Sequence, residues 1–90
     1  MPDEPIRILL IEDVPKFARL MREMLRDTTG VQFELEWVES LSAGLARLSS
    51  GGIDLVLLDL SLSDCKGLES FDRARALMPQ IPIIVLSSQD

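Results

Sequence analysis

The octapeptide Ile53-Asp54-Leu55-Val56-Leu57-Leu58-Asp59-Leu60 constrains this 90-residue chain more than any other stretch. An apolar run opened by Gly51-Gly52 and closed by a polar loop reads as a strand buried on both faces, the pattern of a central parallel strand. Buried along its length, such a strand delivers Asp59 to the carboxyl edge of its sheet, where open α/β sheets bind ligands. Taken alone, Asp59 would be a loop carboxylate capping the next turn. The rest of the chain argues against that.

Ile6-Arg7-Ile8-Leu9-Leu10-Ile11 predicts a first strand that stops at Glu12-Asp13. Pro15 suits the first turn of a helix, where a missing N–H costs nothing, with Asp13 or Val14 near its cap. Phe17, Leu20, Met21, Met24 and Leu25 recur at the spacing of an amphipathic face, and Lys16, Arg19, Arg22 and Arg26 mostly take the wet side. Residues 33–38 alternate apolar and acidic, the period of a half-exposed edge strand, and Trp37 within them reads as packing. Ser40 or Ser42 can cap a second helix whose Leu41, Leu45 and Leu48 form one stripe, ended by Gly51-Gly52. A third helix is expected over about residues 68–78, with Leu68, Phe71, Arg75 and Leu77 setting its faces and Pro79 closing it. Residues 81–86 read as a fourth strand, with Pro82 tolerated at its start.

Strand and helix alternate throughout, which implies right-handed crossovers and a parallel sheet covered on both faces. The expected architecture is a three-layer, doubly wound α/β unit over residues 6–90, after a polar leader at residues 1–5. A hydrophobic fraction of 47% suffices for a core. A net charge of −6 argues against nucleic acid or an anionic membrane as a direct partner. The single cysteine, Cys65, fits a reducing compartment, and no basic, apolar leader or membrane-spanning run is present, so a cytoplasmic location is expected.

Three strand ends carry Glu12-Asp13, Asp59 and Ser87-Ser88. If the first and third strands are neighbours, three carboxylates meet. Each pair at about 5 Å then costs roughly 3 kcal/mol at an effective dielectric of 20. Such a cluster must hold a cation or stay partly protonated. Oxygen ligands suit Mg²⁺ better than zinc, for which the chain offers no His and one Cys. Phosphoryl chemistry is a natural use: a carboxylate can take the group covalently, and most of the catalysis is positioning and charge stabilisation. Ser87 at the next strand end could then hydrogen-bond the bound group.

The acid pair Glu12-Asp13, Asp59, the loop from Asp59 to Gly67, and Ile83-Ile84-Val85-Leu86-Ser87-Ser88 together resemble the response-regulator receiver family of two-component signalling. The resemblance implies a flavodoxin-like fold of order 2-1-3-4 within a five-stranded family pattern. It implies that Asp59 accepts a phosphoryl group from a sensor histidine kinase or phosphotransfer protein. It further implies that Glu12, Asp13, Asp59 and the Ser61 backbone carbonyl hold Mg²⁺, and that Ser87 is the switch hydroxyl that leads an output partner to respond.

Two departures follow. Ser63 stands where the family usually has Pro, which is expected to loosen the loop. The family also continues with a fourth helix, a fifth strand bearing a lysine, and a fifth helix, none of which lies before Asp90. With the fifth strand and last two helices lacking, the fourth-strand edge is expected to be open to self-association.

The reading is thus a phosphoacceptor with no small-molecule turnover of its own, not an enzyme in the usual sense. The alternative is a receiver-like interaction module that is never phosphorylated. A phosphatase or phosphotransferase using Asp59 would usually place a second Asp where Ser61 stands. A flavin-binding relative would need a phosphate cradle where Glu12-Asp13 would repel phosphate.

Overall fold

A computed structural model describes residues 4–28, 30–65 and 67–86. Among these the elements are β1 (Ile6–Ile11), α1 (Pro15–Arg26), β2 (Phe33–Val38), α2 (Leu41–Ser49), β3 (Leu55–Asp59), α3 (Leu68–Leu77) and β4 (Ile83–Leu86). The strands form one parallel sheet in the order β2-β1-β3-β4, the order that the resemblance implied. No helix among the described residues is long and apolar enough to cross a membrane.

Strand alternation divides the core in two. Leu9 and Ile11 of β1 join Val56 and Leu58 of β3 on the face covered by Leu41 and Leu48 of α2 and Ala74 of α3. Ile8 and Leu10 join Leu57 on the opposite face, under Ala18, Met21 and Leu25 of α1. Because both faces of these strands are buried, a one-residue slip in pairing would exchange two differently shaped sets of side chains, so the register is fixed.

Strands β3 and β4 are shorter than their apolar runs, whereas β1 and β2 match theirs. Asp54 closes the entrance to β3: its backbone N–H donates to the Arg7 carbonyl at 2.8 Å and its carboxylate accepts from the Arg7 N–H at 2.9 Å. Pro82 has no N–H for the ladder, so β4 begins at Ile83, although the Pro82 carbonyl still accepts from Val56 at 3.0 Å.

Two helices differ from expectation in the face they bury. In α1 the buried residue is Ala18, flanked by half-buried Met21 and Leu25, whereas Phe17, Leu20 and Met24 are exposed. The apolar stripe of α1 is wider than the strip of sheet beneath it, and only its Ala18 side meets Ile8, Leu10 and Leu57. In α3 the inward residues are Ser70 and Ala74, with Phe71 half-buried and Leu68 and Leu77 exposed. Ser70 is compatible with full burial because its hydroxyl donates to the carbonyls of Cys65 (3.1 Å) and Gly67 (3.2 Å). Gly67 itself has φ 71°, a conformation that L side chains rarely adopt, and it forms the N-cap of α3.

Helix α2 lies so close to β1 that Gly44 has no room for a side chain: a Cβ there would sit 2.5 Å from Ile11 Cδ1 and 2.9 Å from Ile11 Cγ1. Ile11 is fully buried and immediately precedes Glu12, so it has little freedom to yield. Gly44→Val is therefore expected to lower the unfolding free energy by about 1–3 kcal/mol, measured as a drop in the urea midpoint at unchanged m-value.

Candidate metal centre

Parallel pairing of β1 with β3 builds the site. Ile11 is in register with Leu58, so the next residues along the two strands, Glu12 and Asp59, emerge side by side. Both are nearly inaccessible to solvent, Glu12 at 5% and Asp59 at 2% exposure, while Asp13 is half-buried. Carboxylate oxygens of Glu12, Asp13 and Asp59 all lie within 4.8 Å of one another, close enough to ligate a common cation.

Each carboxylate has a donor. Glu12 Oε2 accepts from the Val14 N–H at 3.2 Å, and Asp59 Oδ1 accepts from the Ser61 N–H at 3.1 Å. Asp13 Oδ2 accepts from the Ser63 hydroxyl at 3.0 Å. The Glu12 backbone is fixed as well: its N–H donates to the Val38 carbonyl at 3.0 Å and its carbonyl accepts from the Trp37 indole N–H at 2.7 Å. Trp37 is thus more than the packing residue the sequence suggested, since it links the end of β2 to the acid pair.

The loop after Asp59 is held at several points. The Gly67 N–H closes on the Leu60 carbonyl at 2.8 Å, and Leu62 is fully buried. The Asp64 carboxylate accepts from the first N–H groups of α2, Leu41 at 2.9 Å and Ser42 at 3.0 Å. Those two bonds hold the Asp64 carboxyl below the usual range. Ser40 completes the cap by accepting from the Ala43 N–H at 3.1 Å. The loop that carries Ser63 where the family usually has Pro is thus tied to the fold through Leu62, Asp64 and Gly67. The roles of Ser63, Asp64 and Trp37 were not visible in the sequence, because each depends on a contact between residues distant along the chain.

A bound cation would relieve the electrostatics of this cluster. Burial, reinforced by Asp59 and Asp13, pushes the Glu12 carboxyl from 4.5 up to about 7, against the opposing pull of the Val14 N–H. Without a counter-charge, burial and the neighbouring carboxylates together favour the protonated form of Glu12. All three donors are hard oxygens, a set that suits a hard divalent ion. The Ser61 side of the loop borders this cluster through its N–H contact with Asp59. Ser87 lies outside the described residues; the preceding Leu86 is in register with Asp59.

Comparison with known proteins agrees with this geometry. The family model "Response regulator receiver domain" matches residues 8–90. The swarming motility regulation protein RssB of Serratia marcescens is 40% identical over 85 residues, which cover 94% of this chain and 37% of that protein. The chain thus spans little more than a third of that relative's length. The response regulator TrrA of Thermotoga maritima, in a structure with Mg²⁺ and BeF, superposes with a TM-score of 0.82 at 29% identity, covering 94% of this chain and 71% of TrrA. A second structure, of TrrA in complex with histidine kinase ThkA, gives the same coverage, identity and TM-score.

The raised Glu12 carboxyl sets a pH dependence for the cation-free fold. A carboxyl that binds its proton more tightly when folded contributes stability that is fully present below 4.5 and is lost as pH rises through about 7. Glu12→Gln keeps an acceptor for the Val14 N–H and abolishes the charge. In the absence of divalent ions, the variant is expected to be more stable than the parent at pH 8, the difference shrinking toward pH 5, as measured by thermal unfolding.

Proposed function

The chain belongs to the response regulator receiver domain family, and on that premise we propose that residues 6–90 act as a phosphoacceptor in two-component signalling. Asp59 receives the phosphoryl group, and the donor is a sensor histidine kinase or a phosphotransfer protein. The observation that carries this reading is the convergence of Asp59 with Glu12 and Asp13 within 4.8 Å at the carboxyl edge of the sheet. The complex of TrrA with a histidine kinase supports the class of partner.

In this reading an Asp59 carboxylate oxygen attacks phosphorus as the donor's P–N bond breaks. The departing imidazole nitrogen keeps the bonding pair. The Ser61 N–H holds Asp59 Oδ1, which leaves Oδ2 to form the new P–O bond. Near-complete burial of Asp59 excludes bulk water from the attacking side and positions the nucleophile. Glu12, Asp13 and Asp59, with the Ser61 carbonyl, would hold Mg²⁺, which would supply charge neutralisation at the oxygens of the moving group. Ser87, following the residue paired with Asp59, is the switch hydroxyl that hydrogen-bonds the new phosphoryl group and biases a two-state surface read by an output partner.

A self-catalysed transfer of this kind makes the chain a signalling phosphoacceptor and not a turnover enzyme, at work on the cytoplasmic side. Self-association through the β4 edge belongs to the same proposal: Ile84 and Val85 are exposed there. A rise in sedimentation coefficient with concentration is its expected sign.

Incubation with a small phosphodonor and Mg²⁺ is expected to add about 80 Da, one phosphoryl group, as an acid-stable, base-labile adduct. Asp59→Asn should give none, and Asp13→Asn should slow its formation by about tenfold or more at fixed Mg²⁺. Intact-mass spectrometry over time reads all three. A parent chain that gains no mass would instead favour a docking module that is never phosphorylated.

A further inference from the structure

We propose that Ser63 is a positioning residue for Asp13: its hydroxyl fixes that carboxylate in the orientation in which the acid cluster takes up a divalent cation. The inference rests on reading Glu12, Asp13 and Asp59 as the cation site and assigns a role to a residue outside that set.

The three acids are not anchored alike. The donors to Glu12 and Asp59 are backbone N–H groups two residues further along, so each of these carboxylates is held by its own turn. Asp13 is held from across the site, by the Ser63 hydroxyl 50 residues away in sequence at 3.0 Å. Asp13 is also the most accessible of the three, so its side chain has the most freedom to lose when a cation binds. A donor already in place removes part of that cost, and it also draws charge away from a cluster of like charges.

Ser63 is exposed, yet its position is set by buried or bonded neighbours. Leu62 on one side is fully buried in the core beneath α2 and α3. Asp64 on the other side is fastened to two N–H groups at the start of α2. The Leu60–Gly67 bond closes the loop around all three. The hydroxyl is therefore presented to Asp13 by the fold and need not be ordered by the ion. Proline at this position would stiffen the same loop but could not donate to Asp13.

The test uses the 90-residue chain as the parent, Ser63→Ala and Ser63→Thr, titrated with Mn²⁺ while free ion is counted by electron paramagnetic resonance. A parallel series follows the rise in unfolding midpoint on adding Mg²⁺. Ser63→Ala is expected to bind about three- to tenfold more weakly, the range for loss of one hydrogen bond, with a smaller Mg²⁺-induced rise in midpoint. Ser63→Thr, which retains the hydroxyl, should stay within about twofold of the parent. Equal affinities for Ser63→Ala and the parent would overturn the proposal, as would equal weakening in the Ala and Thr variants. Asp13→Asn separates this from failure of the cation site itself: if the parent binds no more Mn²⁺ than Asp13→Asn, both readings fall. If the parent binds and only Ser63→Ala is without effect, the positioning role alone falls.

Discussion

Two buried carboxylates stand side by side at the end of a sheet because the pairing of β1 with β3 leaves them no other place. Ile11 opposite Leu58 fixes Glu12 beside Asp59, and four neighbouring side chains of β1 and β3, Leu9, Ile11, Val56 and Leu58, pack into one core cluster that holds the register. Burial of apolar side chains of this size contributes about 1.5–3 kcal/mol each, comparable with the roughly 3 kcal/mol of repulsion between two such charges at about 5 Å. A few well-packed strand residues can therefore hold an arrangement that the acids alone would disperse. Burial first, and then the repulsion from Asp59 and Asp13, push the Glu12 carboxyl up to about 7.

Much of this was legible in the sequence because it is periodic or local. The seven elements and the edge position of β2 follow from alternation and helical spacing, and turn chemistry narrowed the α2 cap to Ser40 or Ser42, of which the structure uses Ser40. The convergence of Glu12, Asp13 and Asp59 required one further premise, that β1 and β3 are neighbours, which came from the strand order implied by the family resemblance. Helix spacing was less informative about burial. Phe17, Leu20 and Met24 lie on an apolar stripe of α1, but spacing alone does not tell how wide a surface the sheet offers that stripe. In α3 the same reasoning favoured large side chains, whereas close packing against the sheet takes the small ones, Ser70 and Ala74.

The supporting contacts were the least legible. Trp37 reads as a strand aromatic, and nothing near it in sequence shows that its N–H meets the Glu12 carbonyl. Asp64 reads as one more polar loop residue until α2 is seen to begin beside it. Such bonds join residues tens of positions apart, and only the assembled topology brings them together.

These supports divide the work of holding the site between its two sides. On the β1 side, the backbone of Glu12 is clamped between the Val38 carbonyl and the Trp37 indole, so the first acid is fixed before its side chain is considered. On the β3 side, the loop from Leu60 to Gly67 is tied down by Leu62 in the core, by Asp64 on α2 and by its own closing bond. The Ser63–Asp13 bond is where the two sides meet. A ring-stiffened loop would be rigid in itself but would carry no hydroxyl to the opposite acid. A loop pinned by its neighbours is held in place while keeping a donor free to point across the site, so here restraint and contact come from adjacent residues of the same turn.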